Sequence, residues 1–226
     1  MTPFRTGMPQ VAARSSLRFR LPALLVAGLS CVATGYAVQL AIYTSGGQYA
    51  DEQLMRRSDS STWDAVAAFV LDSDTIPVVS AIVLVAVAAR VVWARSVLGV
   101  VRAVLIVAGS SATAAFLKGA LPRPDLLGTG MQNSFPSGTV AWVAALAAAA
   151  TVTAAARVRP VLAVLGASCT SAVIGAVVTR QWHRPSDVIG ALLIVATYTA
   201  LAVAVTRKVP EAANTPVPHG IPTGVR

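Results

Sequence analysis

The chain has 226 residues, 55% of them hydrophobic and 12% charged, with a mean hydropathy of +0.68. That balance is far from a soluble protein's and leaves room for one helical membrane bundle without a large soluble domain beside it. The net charge of +9 does not point to nucleic acid, because the basic residues lie between apolar runs and are not gathered on one solvated face. Cys31 and Cys169 both fall inside apolar runs, which argues against a disulfide framework.

Residues 1–20 carry Arg5, Arg14, Arg18 and Arg20 without an acid and read as a basic tail. The apolar run Leu21 to Tyr43 is too long for the core of a secretory signal. It matches the roughly twenty residues that a bilayer span requires, so it reads as a retained membrane helix. Thr44 to Asp74 is polar and acidic, with Asp51, Glu52, Asp59, Asp64, Asp72 and Asp74 against Arg56 and Arg57. Within it, Trp63 to Val70 has the apolar spacing of a helix lying along the membrane interface.

Apolar spans follow at 76–93, 97–117, 139–156, 160–179 and 188–206. In lipid a helix satisfies its own backbone hydrogen bonds, so these runs predict helices. The expected fold is therefore all-α: a polytopic bundle of six transmembrane helices over residues 21–207, between the basic tail 1–20 and a tail at 208–226. That last segment is rich in Pro, Gly and Thr and cannot form a packed core. The run Ala144 to Ala150 favours close helix approach.

Charge sets the expected orientation. With the N-terminus cytoplasmic, the inner segments hold Arg90, Arg95, Arg102, Arg157, Arg159, Arg207 and Lys208. The outer segments hold nearly all the acids, from Asp51 to Asp187, Glu211 being the exception. This positive-inside bias predicts that both termini are cytoplasmic.

Three polar clusters then share the outer face: Lys118 to Asp125, Asn133 to Thr139, and Arg180 to Asp187. Their residue types suit binding and transfer of a phosphoryl group. Lys118, Arg123, Arg180 and Arg184 supply positive charge, and the arginine fork matches phosphate oxygens. Pro136-Ser137-Gly138 opens a helix, where unpaired backbone N–H groups favour an anion. His183 can attack phosphorus, and Asp187, four positions on, can hold its imidazole in the required tautomer. Each residue also has a plainer role: the cations as headgroup anchors, Trp182 in an interfacial belt, and Ser137 and Asp187 as helix caps.

The three clusters, in this order, resemble the type 2 phosphatidic acid phosphatase superfamily, the lipid phosphate phosphatases and related soluble haloperoxidases. Its signature reads K-x6-R-P, P-S-G-H and S-R-x5-H-x3-D on six membrane helices. The resemblance covers roughly residues 60–206. It implies His183 as nucleophile, Asp187 as its partner, Arg123 as the first-motif arginine, and Ser137 and Gly138 as phosphate-binding positions.

The chain also departs from the signature. Four residues separate Lys118 from Arg123, where the family has six. Val177 stands where the third-motif arginine is expected; Arg180, nearly one turn on, can reach the same phosphate from a shifted origin. Thr139 replaces the histidine of P-S-G-H, which in the family protonates the leaving oxygen. A threonine hydroxyl does not serve as a general acid near neutral pH, a role worth roughly 10²–10⁴-fold in rate. An alcohol leaves as an alkoxide whose conjugate acid has a pKa near that of water, about 15.7, and needs that proton. A phosphate-monoester leaving group, with a second pKa of about 6, does not.

The expected function is therefore an integral membrane lipid-phosphate phosphatase that forms a phosphohistidine and favours a polyprenyl pyrophosphate. The setting is a bacterial-type plasma membrane with the site facing outward. The alternative is a non-catalytic relative that binds lipid phosphate headgroups or acts as a membrane scaffold. No cofactor and no metal is implied, since His183 and Asp187 are too few ligands and the cations already match phosphate charge. The only partner expected is the lipid phosphate or pyrophosphate itself.

Overall fold

A computed structural model describes residues 9–57, 64–128, 130 and 133–206. Every regular element among them is helical: α1 (Pro9–Tyr43), α2 (Ser45–Arg57), α3 (Asp64–Val70), α4 (Thr75–Trp93), α5 (Val97–Val104), α6 (Ser110–Ala120), α7 (Gly138–Thr153), α8 (Arg159–Thr179) and α9 (Pro185–Thr206). A π-helical turn, Leu105–Gly109, joins α5 to α6 into one rod. Five stretches among the described residues are long and apolar enough to cross a membrane: Arg20–Tyr43, Thr75–Trp93, Val97–Ala120, Arg159–Thr179 and Pro185–Val205. The described residues thus form the all-helical bundle of a membrane protein.

The run expected at 139–156 forms α7, whose 16 residues extend about 24 Å at 1.5 Å per residue, less than a hydrocarbon core of about 30 Å. Its position explains how a short helix is tolerated. α7 packs against α4, α6, α8 and α9, and Val140, Ala141, Ala145 and Ala149 are fully buried. The surrounding helices instead expose Leu29, Val85 and Val164 outward, as a lipid-facing shell should. α1 begins at Pro9, so the helix reaches back into the arginine-bearing segment. α3 covers the expected interfacial run except Trp63, which lies outside the described residues, as do the tail 208–226 and its His219.

Small residues allow a close helix crossing. A Cβ on Gly166 of α8 would stand 2.7 Å from Cβ of Ala147 on α7, so this pair of backbones touches only because position 166 is glycine. Polar ties supplement the apolar core. Trp142 Nε1 donates to Ser80 Oγ at 2.8 Å, joining α7 to α4, and the Thr113 and Tyr198 hydroxyls meet at 2.8 Å, joining α6 to α9.

Two turns of the same kind sit at opposite ends of α7. After α4, Arg95 N–H donates to Val92 O and Ser96 N–H to Val91 O; after α8, Gln181 N–H donates to Val178 O and Trp182 N–H to Val177 O. Each is a Schellman closure, and each places a non-glycine residue, Arg95 (φ 45°) or Gln181 (φ 57°), in the left-handed region. One reverses the chain into α5. The other delivers His183 to the mouth of the bundle.

Candidate active site

The geometry around His183 follows from how α9 starts. Pro185 is its first residue, a favoured place for a residue without an N–H. Asp187, two positions later, reaches back so that Oδ2 accepts the Arg184 N–H at 2.9 Å, the carboxylate half of a capping box. The same Oδ2 accepts the Ser134 hydroxyl at 2.5 Å and faces His183 Nδ1 at 3.4 Å. Asp187 therefore performs the plain capping role and the imidazole-orienting role with one oxygen. Its main-chain carbonyl accepts Ser137 N–H at 3.0 Å, which locks the start of α7 to the start of α9.

Phe135 holds this junction from beneath. Its ring is fully buried, and a Cβ on Gly190 of α9 would come within 2.3 Å of it. Only glycine at 190 lets the ring approach α9 this closely, so the loop 133–137 and the first turns of α9 are fixed together. Asn133 shapes the same loop: Nδ2 donates to Leu121 O at 2.9 Å and Lys118 O at 3.2 Å, and Oδ1 accepts Phe135 N–H at 3.1 Å.

Arg123 lies between two carboxylates. Its Nη2 is 3.6 Å from Asp51 Oδ2 and its Nη1 is 3.8 Å from Asp187 Oδ1, with the three side chains at most 7% exposed. Neither Nη1 of Arg123 nor Oδ1 of Asp187 has a hydrogen-bond partner among the described residues, and at 3.8 Å they do not bond each other. A buried guanidinium N–H without an acceptor is costly, and a ligand oxygen would satisfy it. Burial first, and then the neighbouring Arg184, lower the Arg123 pKa, while Asp187 and Asp51 oppose the shift. Arginine nonetheless stays cationic. Arg184 is itself buried, and its Nη1 donates to Ser134 Oγ at 3.1 Å.

Asp51 comes from α2, an element that the apolar pattern did not predict. It accepts Ser186 N–H at Oδ1, 3.0 Å away, and the Ser186 hydroxyl at Oδ2. Gln48, one turn earlier, donates through Nε2 to Pro124 O and Ile42 O at 2.7 Å each and accepts Leu126 N–H at 3.3 Å. α2 thus straps the 121–128 loop and the start of α9 to the end of α1. Gln48, Asp51 and Met55 are its buried residues, and their i, i+3, i+7 spacing was the available signal.

The expected site residues divide into those the fold brings together and those it does not. His183, Asp187, Arg123 and Arg184 converge. Ser137 is fully buried and serves as the N-cap of α7, accepting Val140 N–H at 3.4 Å; next to it, Gly138 is exposed with open space over its Cα. Arg180 is exposed and donates through Nη2 to Asp64 O at 3.3 Å, tying α8 to α3. Lys118 is exposed at the end of α6, and its ammonium has no hydrogen bond or ion pair among the described residues. The four cations expected to demand an anionic partner are therefore two separate surface residues and one buried pair, of which Arg123 already faces Asp51 and Asp187. Among the described residues no group of three His, Cys, Asp or Glu side chains could hold a metal ion. The chain matches no protein-family model, no curated protein and no solved structure.

Proposed function

We propose that the chain is an integral membrane lipid-phosphate phosphatase, with the His183 end of the bundle facing outward, both termini cytoplasmic and α7 completing six crossings. The observation that carries this reading is the pairing of His183 Nδ1 with the fully buried Asp187 at 3.4 Å, beside the guanidinium groups of Arg123 and Arg184. Asp187 holds the proton on Nδ1, which leaves the Nε2 lone pair free to act as the nucleophile. Nε2 attacks the terminal phosphorus, the bond to the bridging oxygen breaks, and the leaving group departs with the electron pair. Water then attacks the phosphohistidine, releases inorganic phosphate and returns Nε2 to its starting state. Asp187 balances the charge of the phosphorylated ring, and the unpartnered Arg123 Nη1 is the donor aimed at a phosphoryl oxygen.

With Thr139 in place of a general acid, the substrate this site favours is a lipid pyrophosphate, such as a polyprenyl pyrophosphate, whose leaving phosphate needs no proton. A second reading has its own observation: Arg123 is already paired with two carboxylates, which suits a headgroup-binding or scaffold protein without turnover. Purified wild type and His183→Ala, assayed for phosphate release over a panel of lipid phosphates and pyrophosphates, separate the two. Release that depends on His183 supports the phosphatase. Two equally inactive proteins leave the binding role.

A further inference from the structure

The loop 133–137 carries three polar side chains, and they are used in two different ways. Asn133 bonds to main chain, at Lys118 O, Leu121 O and the Phe135 N–H, and Ser137 caps α7. Both roles shape the backbone. Ser134 differs. Among the described residues its hydroxyl meets two charged side chains, Asp187 through Oδ2 at 2.5 Å and Arg184 through Nη1 at 3.1 Å. The partners also place its proton: a guanidinium only donates and an ionised carboxylate only accepts, so the hydroxyl accepts from Arg184 and donates to Asp187. A hydrogen bond with a charge at one end is the stronger kind, and this one hydroxyl makes two.

We propose that Ser134 is a positioning residue: it ties Oδ2 of Asp187 to the Arg184 guanidinium and so keeps that oxygen on the side of His183. Its part in catalysis rests on the reading of His183 as nucleophile. Ser134 lies outside the three motifs of the signature, so the resemblance does not supply this role. The charges around Asp187 show why a tether is needed. On the far side of the carboxylate, Arg123 Nη1 stands 3.8 Å from Oδ1, while Asp51 faces Nη2 of the same guanidinium at 3.6 Å. Oδ1 has no hydrogen-bond partner among the described residues, so it does not hold the carboxylate against the pull of Arg123. Oδ2 resists through the Ser134 hydroxyl and the Arg184 N–H at 2.9 Å. His183 Nδ1, at 3.4 Å, is the longest of the three contacts and the weakest hold. Without the hydroxyl, Asp187 leans toward Arg123. His183 then loses the group that keeps its proton on Nδ1, and Arg123 Nη1 is drawn away from a phosphoryl oxygen.

The chain has two histidines, His183 and His219, so nitrogen NMR of full-length protein carrying isotope-labelled histidine gives few ring signals, and His183→Ala assigns them. In alkaline detergent buffer, wild type and Ser134→Thr should show the His183 proton on Nδ1, and Ser134→Ala a mixture of the two tautomers. Over the panel of lipid phosphates and pyrophosphates, Ser134→Ala should lower kcat by up to about 100-fold with a smaller change in KM, and Ser134→Thr should restore it. Should Ser134→Ala fail to fold, Ser134→Cys, whose thiol is a weak donor, carries the same comparison. A wild-type tautomer in Ser134→Ala, or no rescue by Ser134→Thr, overturns the proposal. The NMR measurement needs no substrate. A tautomer that depends on Ser134, in a protein that releases no phosphate, supports the tether and counts against the phosphatase reading alone.

Discussion

Asp51 and Ser186, 135 residues apart in the chain, are joined by two hydrogen bonds, from the Ser186 N–H to Oδ1 and from its hydroxyl to Oδ2. Ser186 directly precedes Asp187, so α2 sets the position of the residue that orients His183. The contact is buried, with Asp51 5% and Ser186 6% exposed. Removing it therefore disturbs both the fold and the site.

Asp51→Ala leaves the Ser186 donors without an acceptor and removes one of the two carboxylates facing Arg123. Breaking a buried charge pair from one side costs about 3–5 kcal/mol, so a large drop in melting temperature is expected. Asp51→Asn keeps one carbonyl acceptor for Ser186 and should cost less. Thermal unfolding of the two variants in one detergent decides the point: equal losses would mean that Asp51 contributes volume and not hydrogen bonds.

The Asp51 carboxyl also makes stability depend on pH. Burial raises its pKa above the ordinary 3.8; the Ser186 bonds lower it, nearby Asp187 raises it, and Arg123 lowers it. A raised folded pKa means that the folded state holds the proton where the unfolded state has lost it. Its contribution is then fully present below 3.8 and is lost as pH rises through the folded value. Asp51→Asn cannot titrate. The stability of wild type relative to Asp51→Asn should therefore fall as pH rises from acid toward neutral, and melting curves of both proteins across that range would show it. A constant difference would mean that folding leaves the Asp51 pKa unchanged, and one that grows with pH would mean that folding lowers it.

What was readable in the sequence was what apolar length and residue chemistry encode. The five helices long and apolar enough to cross a membrane, the His183–Asp187 pair and the two arginines beside it came from runs and spacings in the chain. α2 did not, because it is polar on most sides and its buried face has three members, Gln48, Asp51 and Met55. Their partners, Pro124, Leu126 and Ser186, are distant in sequence. The length of α7 was overestimated for a related reason. Hydropathy continues to Ala156, but the helix ends at Thr153, where Ala154 turns extended and Arg159 closes it. Apolar content marks a helix as buried, yet does not distinguish lipid from protein as its surroundings.

Gly190 links the scaffold to the chemistry. Gly190→Ala places a methyl group 2.3 Å from the fully buried Phe135 ring, so the ring or the helix must shift. Overpacking of this kind costs about 1–3 kcal/mol. Because Phe135 lies beside Ser134 and Asp187, phosphate release should fall together with the melting temperature. Gly166→Ala, a similar clash with Ala147 on the α7–α8 crossing, serves as the comparison, since it loosens the bundle away from His183. Equal activity per folded molecule in both variants would remove Phe135 from the positioning of the site.

Thr139 is the residue on which the substrate argument turns. It is the second residue of α7, and Ser137, two positions earlier, is hydrogen-bonded to the main chain of Asp187. If the absent acid is what restricts the enzyme to good leaving groups, Thr139→His should restore protonation where it matters. Release from phosphatidic acid, whose alcohol leaves poorly, should then rise by up to about 10²–10⁴-fold. Release from a polyprenyl pyrophosphate, whose phosphate leaves unprotonated, should barely change. The ratio of kcat/KM for the two substrates is the quantity to measure, with Thr139→Asn as a control for size and polarity. An unchanged ratio in Thr139→His would show that leaving-group protonation does not set the preference, and selectivity would then have to come from how the lipid is held.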